Sequence, residues 1–185
     1  MISPVRPLTY DDLKVMPEDG LRREIIGGEM IVNPAPRREH QEVSANLDWL
    51  LQRHLRSTGW GRVYTHPVDV WLGRNDIVQP DLVVIREARL ASYQPEGIVT
   101  APPDLVVEVI SPGTRGTDRV RKMALYARAG VPEYWLVDPQ QRTIEIGMLA
   151  GEEYVPVIPG ADGVLTSRVL TGLRVDPAEV FSRLD

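Results

Sequence analysis

Glu108 is the side chain whose setting in the sequence most strongly suggests chemistry. It interrupts the apolar run Val106-Val107-Glu108-Val109-Ile110, whose β-branched residues predict a strand covered on both faces. A carboxylate buried there without a partner would be costly, or its pKa would rise until the group became neutral. An arginine salt bridge or a metal ion could each offset this cost, and the sequence leaves both alternatives open.

Asp81 is a second carboxylate that could belong to the same site. It opens the apolar run 80–85, and Pro80 cannot donate to a strand ladder, so the strand begins here. An aspartate at a strand start is most often a turn residue. If the two strands are neighbours, however, Asp81 and Glu108 converge, and two carboxylates with a backbone carbonyl and waters suit Mg²⁺ or Mn²⁺. Asp104 competes for this place, but at about 3.3 Å per residue it lies roughly 13 Å from Glu108 along the strand.

A phosphodiester-cleaving site also requires a cation near the attacking water or the developing negative charge. Ile110 stands where a Glu-X-Lys motif would place its lysine, so Lys122, on a helix predicted over residues 118–129, is the alternative source. Helical spacing places Lys122 on one face with Asp118, Leu125 and Tyr126. The opposite, apolar face would consist of Val120, Met123, Ala124 and Ala127. A surface lysine paired with Asp118 is the competing interpretation.

Glu24 and His40 are weaker candidates. Glu24 lies in a predicted hairpin, where it could equally be an exposed strand residue or a partner for Arg22. His40 lies on an apolar helical stripe with Val43 and Leu47. A histidine on such a stripe is more often a packed core residue than a ligand.

A mixed β-sheet would bring these residues together. Extended segments are predicted over residues 23–32 (a hairpin around Gly27-Gly28), 62–72, 80–85, 103–110, 133–137 and 143–148. Helices are predicted over residues 10–15, about 37–57 and 118–129. This order is typical of an α/β domain whose sheet is flanked by helices. A short β appendage is predicted after about residue 152, with a last helical turn near 177–184.

The composition narrows the class of protein. With 185 residues the chain can form one domain with a sizeable core. The absence of cysteine excludes disulfides, thiolate zinc sites and cysteine nucleophiles. Without an apolar run of about 18–20 residues or an apolar leader segment, we expect a cytoplasmic protein. The net charge of −5 counts against broad, non-specific binding of nucleic acid.

The order of the motifs along the chain is more specific than any one of them. The segments are Arg23-Glu24-Ile25-Ile26-Gly27-Gly28-Glu29, His40, Gln79-Pro80-Asp81-Leu82, Val107-Glu108-Val109-Ile110-Ser111-Pro112, Lys122 with Tyr126, and Gly130-Val131-Pro132-Glu133-Tyr134-Trp135-Leu136-Val137-Asp138-Pro139. Together they closely resemble the Uma-family restriction endonucleases, a bacterial group in the PD-(D/E)XK nuclease superfamily. The resemblance runs from about Tyr10 to Met148, and its last segment is the most specific.

The resemblance implies a fold and a set of roles. The fold would be a restriction-endonuclease-like α/β core over about 9–150, with a mixed β-sheet flanked by helices and a small C-terminal β appendage over about 151–185. Asp81, Glu108 and the Val109 carbonyl would bind Mg²⁺ or Mn²⁺, Lys122 would replace the motif lysine, and Glu24 would be the outlying acidic residue of the site. His40 matches a histidine common in the family, without an assigned role.

Two functions remain open at this point. The first is Mg²⁺-dependent hydrolysis of DNA phosphodiester bonds, with a homodimer expected because nucleases that cut both strands often pair. The second is a catalytically inactive nuclease-fold protein that binds or regulates, which the acidic charge and the displaced lysine favour. A small-molecule phosphoesterase is a weaker third possibility.

Overall fold

The fold is described from a computed structural model, which covers residues 6–17, 19–111 and 117–184, with the backbone alone at 117–119. The strands are β1 Arg22–Ile26, β2 Glu29–Asn33, β3 Gly61–Thr65, β4 Asp69–Gly73, β5 Asp76–Val78, β6 Leu82–Arg86, β7 Ile98–Val99, β8 Leu105–Val109, β9 Glu133–Asp138, β10 Thr143–Ala150, β11 Glu153–Pro156, β12 Leu165–Thr166 and β13 Arg174–Val175. The α-helices are α1 Tyr10–Lys14, α2 Arg38–Thr58, α3 Met123–Ala129 and α4 Pro177–Val180. A 3₁₀ helix spans Glu87–Ser92 and a π-helical turn spans Thr117–Lys122.

The larger sheet is the scaffold of the molecule. Its strand order is β11-β10-β9-β8-β6-β3, with β8 and β9 parallel and the other pairs antiparallel. The two apolar runs that predicted central strands are β6 and β8, which are direct neighbours with Leu82 opposite Val107. All five residues of β8 are buried, as a strand covered on both faces requires. The predicted mixed sheet flanked by helices is therefore confirmed.

The smaller sheet carries the predicted hairpin. Its order is β2-β1-β5-β4-β7. β1 and β2 pair around Gly27 and Gly28, which have φ angles of 61° and 78° in the left-handed region that glycine adopts without strain. The predicted extended segment 62–72 is divided, because β3 joins the larger sheet and β4 the smaller one.

Helix α2 covers one face of the larger sheet. Its buried residues are His40, Val43, Leu47, Leu50, Leu51 and Leu55, the stripe that the sequence predicts. The five apolar residues of this stripe belong to the same core cluster as Val107 and Trp135 of the sheet. The helix ends at Gly59, whose left-handed backbone allows its N–H to donate to the Leu55 carbonyl at 2.9 Å.

The segment predicted as a helix over 118–129 buries the face that carries Lys122, Leu125 and Tyr126, as their predicted grouping requires. Of the opposite, apolar face, Val120 is 64% and Met123 39% exposed, whereas Ala127 is buried. A π-helical turn over Thr117–Lys122 replaces the first part of the predicted helix, and α3 begins at Met123. The side chain of Asp118, a predicted surface partner of Lys122, lies outside the described residues.

A buried carboxylate, Glu133, helps to attach the C-terminal segment to the sheet. Glu133 accepts hydrogen bonds from the Ser167 hydroxyl at 2.8 Å and from the backbone N–H groups of Arg168 and Val169 at 2.6 and 3.0 Å. Leu170 and Val180 of the same segment join the core. The division into a core and an appendage remains a prediction. Within the described part of the chain, none of the helices combines the length and apolarity needed to cross a membrane.

Candidate active site

Asp81 and Glu108 meet where β6 begins and β8 ends. The register that pairs Leu82 with Val107 places the residue before β6 beside the fourth residue of β8. The backbone N–H of Val109 donates to Asp81 Oδ2 at 2.7 Å. Both carboxylates are buried, with Asp81 5% and Glu108 1% exposed. The structure thus brings the two predicted carboxylates together, and their role as metal ligands remains a prediction.

Glu108 is held by an ammonium group and a phenol. Lys122 Nζ donates to Glu108 Oε1 and Oε2 at 3.1 and 3.2 Å, and the Tyr126 hydroxyl donates to Oε1 at 2.6 Å. Arg22 Nη2 lies farther away, 4.0 Å from Oε2. Burial and then the charge of Glu108 raise the pKa of Tyr126 well above its ordinary value, so the phenol keeps the proton that it donates.

Glu24 shares the same ammonium group. Lys122 Nζ lies 2.8 Å from Glu24 Oε1. The backbone N–H of Gln79 donates to Oε1 at 2.6 Å, and Asn33 Nδ2 donates to Oε2 at 2.5 Å. Burial raises the pKa of Glu24, but the charges of Lys122 and Arg22 outweigh it and hold the pKa below its ordinary value. Glu24 is 0% exposed, so its interpretation as an exposed strand residue is wrong.

Arg22 and His40 hold Asp81. Arg22 Nη1 donates to Asp81 Oδ1 at 2.9 Å, and His40 Nε2 lies 3.2 Å from Oδ2. Burial raises the pKa of Asp81, but the hydrogen bond with His40 and the charge of Arg22 lower it by more. The pKa of Asp81 is therefore well below its ordinary value. His40 is packed in the core as predicted, yet its ring also touches the site, with Ser44 Oγ 3.4 Å from Nδ1.

Asp104 and Ile110 lie outside the site. Asp104 is buried and accepts hydrogen bonds from the Arg86 N–H, from Arg86 Nε and from Arg89 Nη1, at 2.9, 2.9 and 3.1 Å. Ile110 is buried in an apolar cluster with Val131. The position of the motif lysine is therefore filled by a core residue, and the ammonium group comes from Lys122 on the next helical segment.

Arg22 is the site residue that the sequence prediction did not assign. It precedes Glu24 by two residues on β1, so both side chains lie on the same face of the strand. The guanidinium also donates to the Gln79 carbonyl, next to the strand that Asp81 opens. The signal for this role was the Arg-X-Glu spacing on a strand. The contacts of Asn33 and Gln79 with Glu24 depend on pairing between distant segments, which no local sequence pattern indicates.

The site has the donor chemistry of a small divalent ion. Glu24, Asp81 and Glu108 are three carboxylates facing the two fixed cations Arg22 and Lys122, a balance of −1 among these five side chains. A cavity of about 20 Å³, large enough for one water-sized particle, is lined by Arg22, Asp81, Glu108, Val109 and Lys122 among others, but not by Glu24. Hard oxygen ligands suit Mg²⁺, which usually takes one or two carboxylates and completes its shell with water and substrate oxygens.

The described residues contain no metal site formed by protein side chains alone. Across 6–17, 19–111 and 117–184, no group of three His, Asp or Glu side chains is arranged to hold a metal ion. An ion at Asp81 and Glu108 would therefore need the Val109 carbonyl and outside ligands.

Comparison with known proteins agrees with this architecture. Residues 9–178 match the Uma2 family model, described as "Putative restriction endonuclease". A crystal structure described as "a putative nuclease belonging to DUF820 from Anabaena variabilis" superimposes with a TM-score of 0.80 at 20% identity, covering 95% of this chain and 98% of that chain. At this identity the likeness shows a shared fold. No curated protein matches the sequence.

Proposed function

We propose that the chain, which belongs to the Uma2 family, is a metal-dependent endonuclease that hydrolyses phosphodiester bonds of DNA. The observation that carries this proposal is the meeting of Asp81 and Glu108 from neighbouring strands, with the Lys122 ammonium group 3.1 Å from Glu108. The family description and the fold shared with a protein described as a nuclease support it. The pairing of two copies, which would allow both strands to be cut, remains a prediction.

Asp81, Glu108 and the Val109 carbonyl would hold Mg²⁺ or Mn²⁺. When bound, the ion would polarise the phosphate and lower the pKa of a coordinated water. Asp81 is suited to this role because its lowered pKa keeps it ionised at neutral pH. His40 contacts Oδ2 of Asp81, and Arg22 donates to Oδ1. An ion bound through Oδ1 would therefore share that oxygen with Arg22.

The cations of the site would act on the phosphate itself. Lys122 is fixed between Glu24 and Glu108, so its ammonium group needs little reorganisation to stabilise negative charge that develops nearby. Arg22 lines the same cavity, and a guanidinium binds phosphate oxygens through two parallel N–H bonds. Glu24 would act as a positioning residue, because its contact is with Lys122.

The test compares carboxylates inside and outside the site. Asp81→Asn and Glu108→Gln preserve side-chain shape but remove the charges that would bind the ion. We expect both to reduce Mn²⁺-dependent cleavage of DNA to the metal-free background. Asp104→Asn is the matched control, since Asp104 is a buried carboxylate of the same region paired with Arg86 and Arg89. Cleavage retained in both site variants, or lost equally in the control, would contradict the proposal.

Binding without catalysis is a second candidate, favoured by one observation. Arg22 already forms a 2.9 Å ion pair with Asp81, so a metal ion has to compete with a guanidinium for that carboxylate. Calorimetric titration with Mn²⁺ separates the two functions. Heat of binding that disappears in Asp81→Asn supports the nuclease, whereas no binding at millimolar Mn²⁺ supports a nuclease fold that has lost its ion.

A further inference from the structure

We propose that the cleft beside the candidate metal site receives the base of an unpaired nucleotide, so that the substrate is single-stranded or locally opened DNA. This inference rests on the proposed nuclease function and names its substrate class. The cleft has a volume of about 390 Å³, within the range of pockets that enclose small ligands. It shares Arg22, His40 and Asp81 with the smaller cavity of the site, so a group seated in the cleft lies beside the carboxylates.

The walls of the cleft suit a flat, largely apolar ring. Rings of Pro34, Pro36, His40 and His66 line it, and Leu21, which is 52% exposed, stands at its edge. Unpaired bases stack on aromatic side chains such as histidine in proteins that read single strands, and the two puckered proline rings supply further apolar surface. A further group of lining residues, Gln41, Ser44 and Thr65, supplies amide and hydroxyl groups for the edge of a base.

Arg22 determines the direction in which a nucleotide would lie in the cleft. It lies in the wall common to the cleft and the metal-site cavity, where a phosphate following the base would arrive. Among the described residues, Arg22 Nε is a buried donor without a hydrogen-bond acceptor. A phosphate oxygen would supply the acceptor that this N–H lacks, and guanidinium groups bind phosphate strongly.

The net charge of the chain favours recognition of a single unpaired nucleotide over binding along the backbone of a duplex. Proteins that hold a duplex through its backbone neutralise many phosphates with a basic surface. This chain has a net charge of −5. A base in an intact duplex remains stacked and cannot enter a cleft unless it is turned out of the helix, which costs least where pairing is absent. A site that recognises one unpaired nucleotide needs no extended basic surface.

The first experiment measures binding to the metal-free protein. NMR titration with deoxyadenosine 5′-monophosphate is compared with titration by 2-deoxyribose 5-phosphate, which lacks the base. We expect the nucleotide to bind about tenfold or more tightly, as base stacking allows, with shifts at Gln41 and Thr65. Equal affinity for both compounds, or shifts confined to other surfaces, would overturn the inference.

Two matched variants locate the binding in the cleft. Ala35→Glu adds bulk and negative charge to a residue that lines the cleft but not the smaller cavity. Ala45→Glu makes the same change at an exposed position of α2 that lines a different surface. We expect Ala35→Glu to weaken nucleotide binding about tenfold or more, because the added side chain occupies the space in which the base would stack, and Ala45→Glu to leave it unchanged. Equal effects would overturn the inference.

Cleavage assays with Mn²⁺ separate this inference from the proposed function. We expect single-stranded or mismatched oligonucleotides to be cut at least tenfold faster than a fully paired duplex, with Ala35→Glu reducing that preference. If a paired duplex is cut as fast and Ala35→Glu has no effect, the cleft inference fails and the nuclease stands. If no DNA is cut while the base-dependent binding persists, the nuclease fails and the cleft inference stands.

Discussion

Replacing Lys122 with methionine tests the charge arrangement of the site most sharply. Lys122 is 1% exposed, and its ammonium group contacts Glu24 and Glu108, which are 0% and 1% exposed. Lys122→Met keeps most of the side-chain volume but leaves two buried carboxylates without that partner. Removing one member of a buried ion pair typically costs about 3–5 kcal/mol. We therefore expect a loss of this size at pH 7, a large part of the roughly 5–15 kcal/mol that stabilises a domain.

The pH dependence of this loss gives the prediction a second, independent readout. In the wild type the pKa of Glu24 is lowered, so its contribution to stability is present above its unfolded pKa of about 4.3 and is lost as the pH falls. Without the charge of Lys122, burial, which raises the pKa of Glu24, is opposed mainly by Arg22, so this pKa rises. The variant then gains stability relative to the wild type as the pH falls, and the difference between the two proteins shrinks towards pH 4.

Urea unfolding between pH 4 and pH 7 measures both effects. Lys14→Met is the matched control, because Lys14 is the other lysine of the chain and its exposed side chain pairs with exposed Asp11. We expect no change in the control. In the Lys122→Met background, Glu24→Gln with Glu108→Gln should restore part of the stability by removing the two buried charges that Lys122 no longer offsets. A loss no larger than in the control, or one that is the same at both pH values, would refute the reasoning.

Two further predictions concern other carboxylates. Glu133→Gln should destabilise the protein by about 1–3 kcal/mol, because an amide cannot accept all the bonds that Ser167 and the neighbouring N–H groups donate. Urea unfolding checks this, and a change within about 0.5 kcal/mol, as at ordinary surface positions, would contradict it. Asp81 has a lowered pKa, so its stabilising contribution is present above about pH 4 and is lost at more acidic pH. Asp81→Asn should therefore flatten the acid decline in unfolding free energy, and parallel declines in both proteins would rule this out.

The sequence predicts those parts of the site that depend on local pattern. Continuous β-branched runs identified β6 and β8, and a carboxylate within such a run is conspicuous because burial makes it costly. The contact between Asp81 and the Val109 N–H follows once the two strands are neighbours. Lys122 is proposed because Ile110 occupies the place of the motif lysine, the family resemblance implies the same role, and the structure brings its ammonium group to Glu108.

The parts that the sequence did not predict depend on distant pairing or on irregular geometry. β1 pairs with β5, with Ile25 opposite Ile77, and this register brings Glu24 to the Gln79 N–H. Local periodicity contains no information about such a register. The π-helical turn over Thr117–Lys122 replaces the first part of the helix predicted over 118–129, and the regular spacing of side chains does not predict such an irregularity.

A crystal structure of the protein grown with Mn²⁺ tests the central claim most directly. We predict an anomalous peak in contact with carboxylate oxygens of Asp81 and Glu108 and with the Val109 carbonyl, accompanied by displacement of Arg22 from Asp81. The peak should be absent from crystals of Asp81→Asn under the same conditions. Wild-type crystals without a peak at this position, in which Arg22 and Lys122 still pair with the two carboxylates, would contradict the account.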